Sequence, residues 1–305
     1  MTVLAVIGPT AVGKSALGVA VAQRLEASGT RAEIISADSM QAYIGMDIGT
    51  ATPTMAERGG ITHHLLDVWP VEHALSVAEY QQAARDAIAD VSDRGAVPIL
   101  VGGSGLYVSA ILDDLQFPGT DAQVRDRYER QLLDLGPEAL HARLAEVDPA
   151  AAAAILPTNG RRIVRALEVV ELTGEPFVAQ LPAPVAVVPA VRIGLSIPRD
   201  VMDARIEARV LDMFAAGLVD EVRGLPGLAQ GVTAARAIGY TQVLDHLAGT
   251  CTREEAISAT IAITRKFARR QQRWFARDPR IVWCDYDDAS LVARACALLG
   301  EDTRL

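Results

Sequence analysis

Lysine is almost missing from this chain: of 29 basic residues, only Lys14 and Lys266 are lysines and the rest are arginines. Where a lysine does occur at 14, inside a glycine-rich run, it fits a compact ammonium reaching between phosphates, a task for which the planar arginine fork is not equivalent. Cysteine is also scarce. Cys251, Cys284 and Cys296 stand far apart without a C-x-x-C pair, which argues against a zinc site and a disulfide framework and suggests a reducing, cytoplasmic setting. No apolar run approaches the length of a membrane span. The N-terminus has no basic n-region, and its apolar run stops at a glycine loop, so no signal peptide is expected. The guanine-reading N-K-x-D motif of GTPase-like switches is absent. A net charge of −9 argues against uniform affinity for nucleic acid and leaves room only for a local basic face.

What is present begins with length and core. At 305 residues, half of them hydrophobic, the chain predicts two domains, or one domain carrying an insertion. Val3 to Ile7 is a short β-branched run of the kind that makes a buried parallel strand. Gly8-Pro9-Thr10-Ala11-Val12-Gly13-Lys14-Ser15 follows, and then a helix from Ala16 to Leu25. Strand, glycine loop and helix in that order form the G-x-x-x-x-G-K-[ST] phosphate loop. Its N–H groups, the helix N-terminus and Lys14 converge on an anion, and Ser15 is placed to ligate Mg²⁺. A second strand, Glu33 to Ser36, puts Asp38 at its C-terminal end, the edge where open α/β sheets hold ligands. Asp38 is expected there as a general base or magnesium organiser, with a turn or cap aspartate as the plainer reading. His63 to Val68 predicts a short strand. Its paired histidines face opposite sides and do not make a metal site, so a polar structural contact is the better reading.

Ser76-Val77-Ala78-Glu79 is a capping box opening a helix to about Arg94; Val97 to Val101 is another buried strand, ending in the glycine loop Gly102-Gly103-Ser104-Gly105. From about Gln116 strands vanish. Helices are expected over 121–135, 137–147, 149–156 and 159–173, then a loop over 182–189, giving an all-helical insertion of residues 116–189 in an α/β core of 1–115 and 190–305. Arg161, Arg162 and Arg165 form a basic patch in it. Beyond it a strand over 191–197, a charged helix over 200–225, a helix over 253–277, a strand over 281–286 and a last helix to about Leu299 are expected. The helix from 253 carries Arg265, Lys266, Arg269, Arg270, Arg273 and Arg277 among aromatics. Phe267, Gln271, Trp274 and Phe275 share one face, which reads as core-facing; the positive stripe beside them is expected to attract a phosphate backbone.

Taken together these motifs resemble the tRNA dimethylallyltransferases over nearly the whole chain: GPTAVGKS at 8–15, ADSMQ at 37–41, GMDIGTA at 45–51, HHLLDV at 63–68, VGGSGLY at 101–107, RRIVRALEV at 161–169, ARAIGY at 235–240 and TRKFARRQQRWF at 264–275. The resemblance implies a P-loop NTPase-like parallel sheet flanked by helices, with a helical insertion that contacts tRNA. It implies that Gly8, Thr10, Ala11, Val12, Gly13, Lys14 and Ser15 hold the diphosphate of dimethylallyl diphosphate, with Mg²⁺ at Ser15. It also implies that Asp38 accepts the proton of adenine N6, that Lys14 and Arg236 act on the diphosphate, and that Ser104 belongs to the catalytic set. Asp38, Ser39, Met40, Gln41, Ser104, Arg125, Arg161, Arg162, Arg165, Arg269, Arg270 and Gln271 are the implied tRNA contacts. Partners so implied are the tRNA anticodon stem-loop and dimethylallyl diphosphate, with no membrane and a monomeric, cytoplasmic enzyme. Ser104 stands where the family usually has threonine, and Pro157-Thr158-Asn159-Gly160 departs from the family's P-N-D before Arg161. Two other enzymes remain readings of the same residues: an ATP-dependent small-molecule kinase using Asp38 on a hydroxyl, and a prenyltransferase of free adenine nucleotides.

Overall fold

Alternate residues of the first strand feed two separate cores. The computed structural model describes residues 1–177 and 184–302, so Pro182 and Ala183 of the expected 182–189 loop lie outside the described residues. Val3, Ala5 and Ile7 pack into one apolar cluster and Leu4 and Val6 into another, because successive side chains of a strand leave opposite faces. That strand, β1 (Val3–Ile7), lies in a six-stranded parallel sheet with β2 (Ala32–Ser36), β3 (His63–His64), β4 (Val97–Gly102), β5 (Ala190–Ser196) and β6 (Ile281–Asp285), in the order β3-β2-β4-β1-β5-β6. β1, β2 and β4 are buried along their whole length, as expected of parallel strands covered on both faces.

The helices are α1 (Lys14–Ala27), α2 (Val77–Asp93), α3 (Gly105–Leu112), α4 (Ala122–Leu135), α5 (Pro137–Val147), α6 (Pro149–Ala154), α7 (Gly160–Thr173), α8 (Arg199–Ala215), α9 (Leu218–Arg223), α10 (Tyr240–Leu247), α11 (Arg253–Phe275) and α12 (Leu291–Asp302). The chain forms two compact units, one of Met1–Asp113 with Ala186–Leu305 and one of Asp114–Val185. The second contains α4 to α7 and has a core of its own around Tyr128, Leu140, Leu144, Ile155, Ile163 and Leu167. In the first, Asp113, 3% exposed, receives Arg192 at 3.1 Å and Arg280 at 2.7 Å, which anchors the end of that stretch of chain. Among the described residues no helix is long and apolar enough to cross a membrane.

Several elements differ from the sequence reading, among them the helix expected over 149–156, which ends at Ala154. The strand expected over 63–68 is only two residues long, because Leu65 (φ 62°) and Asp67 (φ 54°) take left-handed backbone that cannot continue a ladder. The helix expected over 200–225 is two helices, parted where Gly217 turns left-handed at φ 103°. The basic helix stops at Phe275 instead of 277. His64 makes the polar contact expected of it, on Glu33 at 2.7 Å. The unusual turn before Arg161 is a functioning cap, since the Asn159 side chain accepts the Arg162 N–H at 3.4 Å.

Candidate active site

The phosphate loop leaves β1 at the carboxyl edge of the sheet and enters α1 through Gly13, whose φ of 106° only glycine adopts readily. Ala11 is also left-handed, at φ 63°, an unusual conformation for a side-chain-bearing residue. Thr10, Lys14 and Ser15 line a cleft there together with Ser36, Asp38, Gln41, His63, Gly102, Gly103, Arg209, Phe267 and Gln271. Lys14 Nζ donates to the Pro9 carbonyl at 2.7 Å. Burial, aided by the positive charge of Arg209, pulls its pKa down to about 7 although Asp38 works the other way. Burial pushes the Asp38 carboxyl above its usual range, against the Met40 N–H it accepts at 3.0 Å and the charges of Lys14 and Arg209. A buried carboxylate facing two cations is thus poised to take a proton, and two cations facing a glycine cradle are poised to hold a polyanion.

Local structure explains why these groups are in place. Asp38 Oδ1 on the Met40 N–H closes a turn just after β2, and the Asp38 N–H donates to Ser36 Oγ at 3.2 Å. Ser36 Oγ in turn donates to Gln41 Oε1 at 2.9 Å, and Gln41 Nε2 reaches the Ala51 carbonyl at 3.2 Å. The loop that follows is held from the far side: Glu221 accepts the N–H groups of Asp47, Ile48 and Gly49, with Tyr240 on the same carboxylate at 2.5 Å.

Not all of the expected residues line the cleft. Arg236 sits exposed on a short 3₁₀ turn outside the cleft lining; the arginine in the cleft is Arg209, on α8 and hydrogen-bonded to Thr50 O at 3.4 Å. Sequence reasoning missed Arg209, because one arginine among several on an amphipathic helix carries no local signal. Gln271, expected among the tRNA contacts, lies in the cleft lining. It is 6% exposed, its Oε1 accepts the Thr10 N–H at 2.9 Å and its Nε2 donates to the Gly103 carbonyl at 2.8 Å, so both ends of the amide are already committed inside the protein. Ser39, another of the expected tRNA contacts, is 5% exposed and hydrogen-bonded to Tyr107. Met40 packs against the core. Ser104 precedes α3 and its side chain makes no capping bond.

In the helical unit, Arg125 and Arg165 both pair with the wholly buried Glu168, at 2.9 and 2.8 Å. Arg165 also donates to the Pro118 and Gly119 carbonyls at 2.5 and 3.1 Å. Arg161 and Arg162 are exposed. On α11, Arg265 pairs with Glu207 at 2.7 Å and Arg269 lies 3.8 Å from Asp203, so the stripe is partly neutralised by α8. Arg270 stacks on Phe267 at 5.2 Å and, like Lys266 and Arg273, is exposed.

Parallel sheet, glycine cradle, lysine and facing carboxylate together define an α/β protein of the phosphate-loop class. The IPP transferase family model matches residues 41–278. A tRNA dimethylallyltransferase of Thermobifida fusca is 61% identical over 306 residues, covering 100% of this chain and 96% of the relative. One from Kineococcus radiotolerans is 59% identical, covering 94% of this chain and 92% of the relative. The solved structure of the full-length tRNA isopentenylpyrophosphate transferase of Bacillus halodurans superposes with a TM-score of 0.71 at 38% identity, covering 99% of this chain and 98% of the other. The chain belongs to the IPP transferase family.

Proposed function

We propose that this chain transfers the dimethylallyl group of dimethylallyl diphosphate to N6 of the adenine 3′ to the anticodon in tRNA, releasing diphosphate. The observation that carries the reading is the facing of Asp38 by Lys14 and Arg209 in a cleft floored by the phosphate loop. The N6 amine attacks the allylic C1 and the C–O bond breaks, its electron pair leaving with the diphosphate. The N6 proton passes to Asp38, whose raised pKa makes it a better base than a solvated aspartate. An exocyclic amine is a weak nucleophile, so proton removal and leaving-group stabilisation carry the rate together. Lys14, Arg209 and the loop amides meet the charge that grows on the diphosphate.

The residues fit Mg²⁺ of the kind that relies on its substrate. Ser15 Oγ and Asp38 are hard oxygen donors in the cleft, while among the described residues no group of three or more His, Cys, Asp or Glu could hold an ion unaided. Ser15 with the substrate's phosphate oxygens would hold it, and when bound it supplies further charge neutralisation at the leaving group.

Arg161 and Arg162 on α7, and Lys266, Arg270 and Arg273 on α11, are the exposed cations offered to the RNA backbone. A kinase or a nucleotide prenyltransferase gives them no task. The test is incubation with labelled dimethylallyl diphosphate and either tRNA or AMP, with ATP present. Label in tRNA, none in AMP and no ADP is the expected outcome; ADP released in step with product would overturn it in favour of a kinase.

A further inference from the structure

Gln271 lies where α11, the phosphate loop and the second glycine loop meet. Its Oε1 accepts the Thr10 N–H at 2.9 Å, across 261 residues of sequence, and its Nε2 donates to the Gly103 carbonyl at 2.8 Å. The fit around it is close. A Cβ on Gly103 would come within 2.6 Å of Gln271 Nε2, 3.1 Å of the Gly8 carbonyl and 3.2 Å of Lys14 Nζ. One turn further along α11, a Cβ on Gly105 would come within 2.1 Å of the Trp274 ring. Glycines at 103 and 105 therefore let α11 seat its Gln271 and Trp274 directly on the loops that form the cleft.

We infer that Gln271 is a positioning residue for the diphosphate: it holds the phosphate loop in its anion-binding shape and ties that shape to α11. The loop needs holding. Ala11 keeps a left-handed backbone at φ 63°, a conformation unfavourable for a side-chain-bearing residue, which persists only where surroundings impose it. Thr10 is the neighbour of Ala11, and its N–H is the one fixed by Gln271. With that N–H tied, the amides that follow, up to Lys14 and Ser15, stay turned inward toward the cleft. Both faces of the glutamine amide are used, the donor on one loop and the acceptor on the other, so a leucine supplies neither and an ionised glutamate only the acceptor. Lys266, Arg270 and Arg273 project from the same helix into solvent, so α11 carries on one body the cations offered to RNA and the amide that shapes the diphosphate cradle.

The inference rests on the proposed reading of the phosphate loop, and the test separates the two. Binding of inorganic pyrophosphate with Mg²⁺, and of tRNA, is measured calorimetrically for the wild type, Gln271→Leu and Gln271→Glu. Wild type that fails to take up pyrophosphate would overturn the functional reading whatever Gln271 does. Given binding by the wild type, Gln271→Leu is expected to weaken pyrophosphate binding tenfold or more and raise KM for dimethylallyl diphosphate, with tRNA affinity changed less than twofold. Gln271→Glu keeps the shape and the acceptor but loses the donor and adds a negative charge, so it is expected to be worse at pH 8. At an acid pH that protonates its carboxyl it again donates and accepts, and the deficit relative to wild type is expected to shrink. Unchanged pyrophosphate affinity, or a loss confined to tRNA as for a direct RNA contact, would overturn the inference. Should Gln271→Leu fail to fold, the pH dependence of Gln271→Glu decides alone: a deficit that does not shrink on acidification overturns it.

Discussion

At the scale of single residues, the site is governed by charges held out of water. Lys14 titrates near 7 because burial and Arg209 both oppose its ammonium. Its folded value lies below that of the unfolded chain, so its charge costs stability below about 7 and the cost is relieved as pH rises toward 10.5. At pH 8 the amine is therefore mostly neutral, by roughly ten to one, and a bound diphosphate recharges it. Pyrophosphate binding at pH 8 is expected to take up close to one proton more in the wild type than in Lys14→Met. The difference fades by pH 6, as read by calorimetry in buffers of different ionisation enthalpy; Lys14→Met should also lose turnover. Equal proton uptake by the two proteins would show that Lys14 is charged before the anion arrives. Asp38 moves the other way. Burial raises it, so kcat/KM is expected to fall on the acid side at a pH above the ordinary 3.8. Arg209→Gln removes a cation that favours the carboxylate and should move that acid limb up, by about one unit at most, besides lowering kcat. A limb unmoved in Arg209→Gln would detach Arg209 from the base.

At the scale of elements, two helices that look alike in sequence divide their arginines differently. In α7 the buried Glu168 gathers Arg125, Arg165 and the Thr120 hydroxyl at 2.5 Å. Burial works to raise its pKa, but the hydrogen bonds from Thr120 and Arg165 and the two charges hold it below the ordinary range. Its stabilising contribution is thus present above about 4.5 and lost as pH falls through the lower folded value. Glu168→Gln is expected to cost about 1–3 kcal/mol, since both arginines reach solvent once released. Denaturant titrations should show that gap at pH 7 and a smaller one near pH 4; a gap that stays constant would mean packing, not charge, is at stake. In α11 the cations facing α8 are the paired ones, and Arg270 and Arg273 are exposed. Arg270→Gln with Arg273→Gln is expected to raise KM for tRNA and flatten the salt dependence of its binding by roughly 0.7–0.9 per lost contact. Affinity for dimethylallyl diphosphate should hardly change. An unaltered slope in the folded double variant would remove α11 from the RNA interface.

At the scale of the molecule, a chain of net charge −9 is proposed to bind a polyanion. Its acidic residues are not spread evenly against that task. Glu33, Asp113, Glu168 and Glu221 are spent inside, on Arg94, on Arg192 and Arg280, on Arg125 and Arg165, and on the loop over 47–49. Cations on α7 and α11 stay exposed, and net charge is a poor guide to what those two surfaces attract. Each compact unit also has its own apolar core, which is why the strands can stop near one point of the sequence and resume near another without leaving a shared core half-built.

The sequence by itself determined whatever depends on neighbours along the chain. The phosphate loop, Asp38 just past β2, the run of helices after the third long strand and the apolar periodicities are local patterns, and local geometry fixes them. Only the tertiary structure decided which arginine faces the cleft, which acids neutralise α11, and that Gln271 belongs to the phosphate loop. Those depend on pairs such as Thr10 with Gln271 and Gly103 with Gln271, joined across 261 and 168 residues. Nothing in a glutamine's sequence neighbourhood distinguishes one that meets RNA from one buried under a glycine loop. What distinguishes them is the approach that glycine's missing Cβ permits at 103 and 105, a distance in space that the chain sets only when it folds.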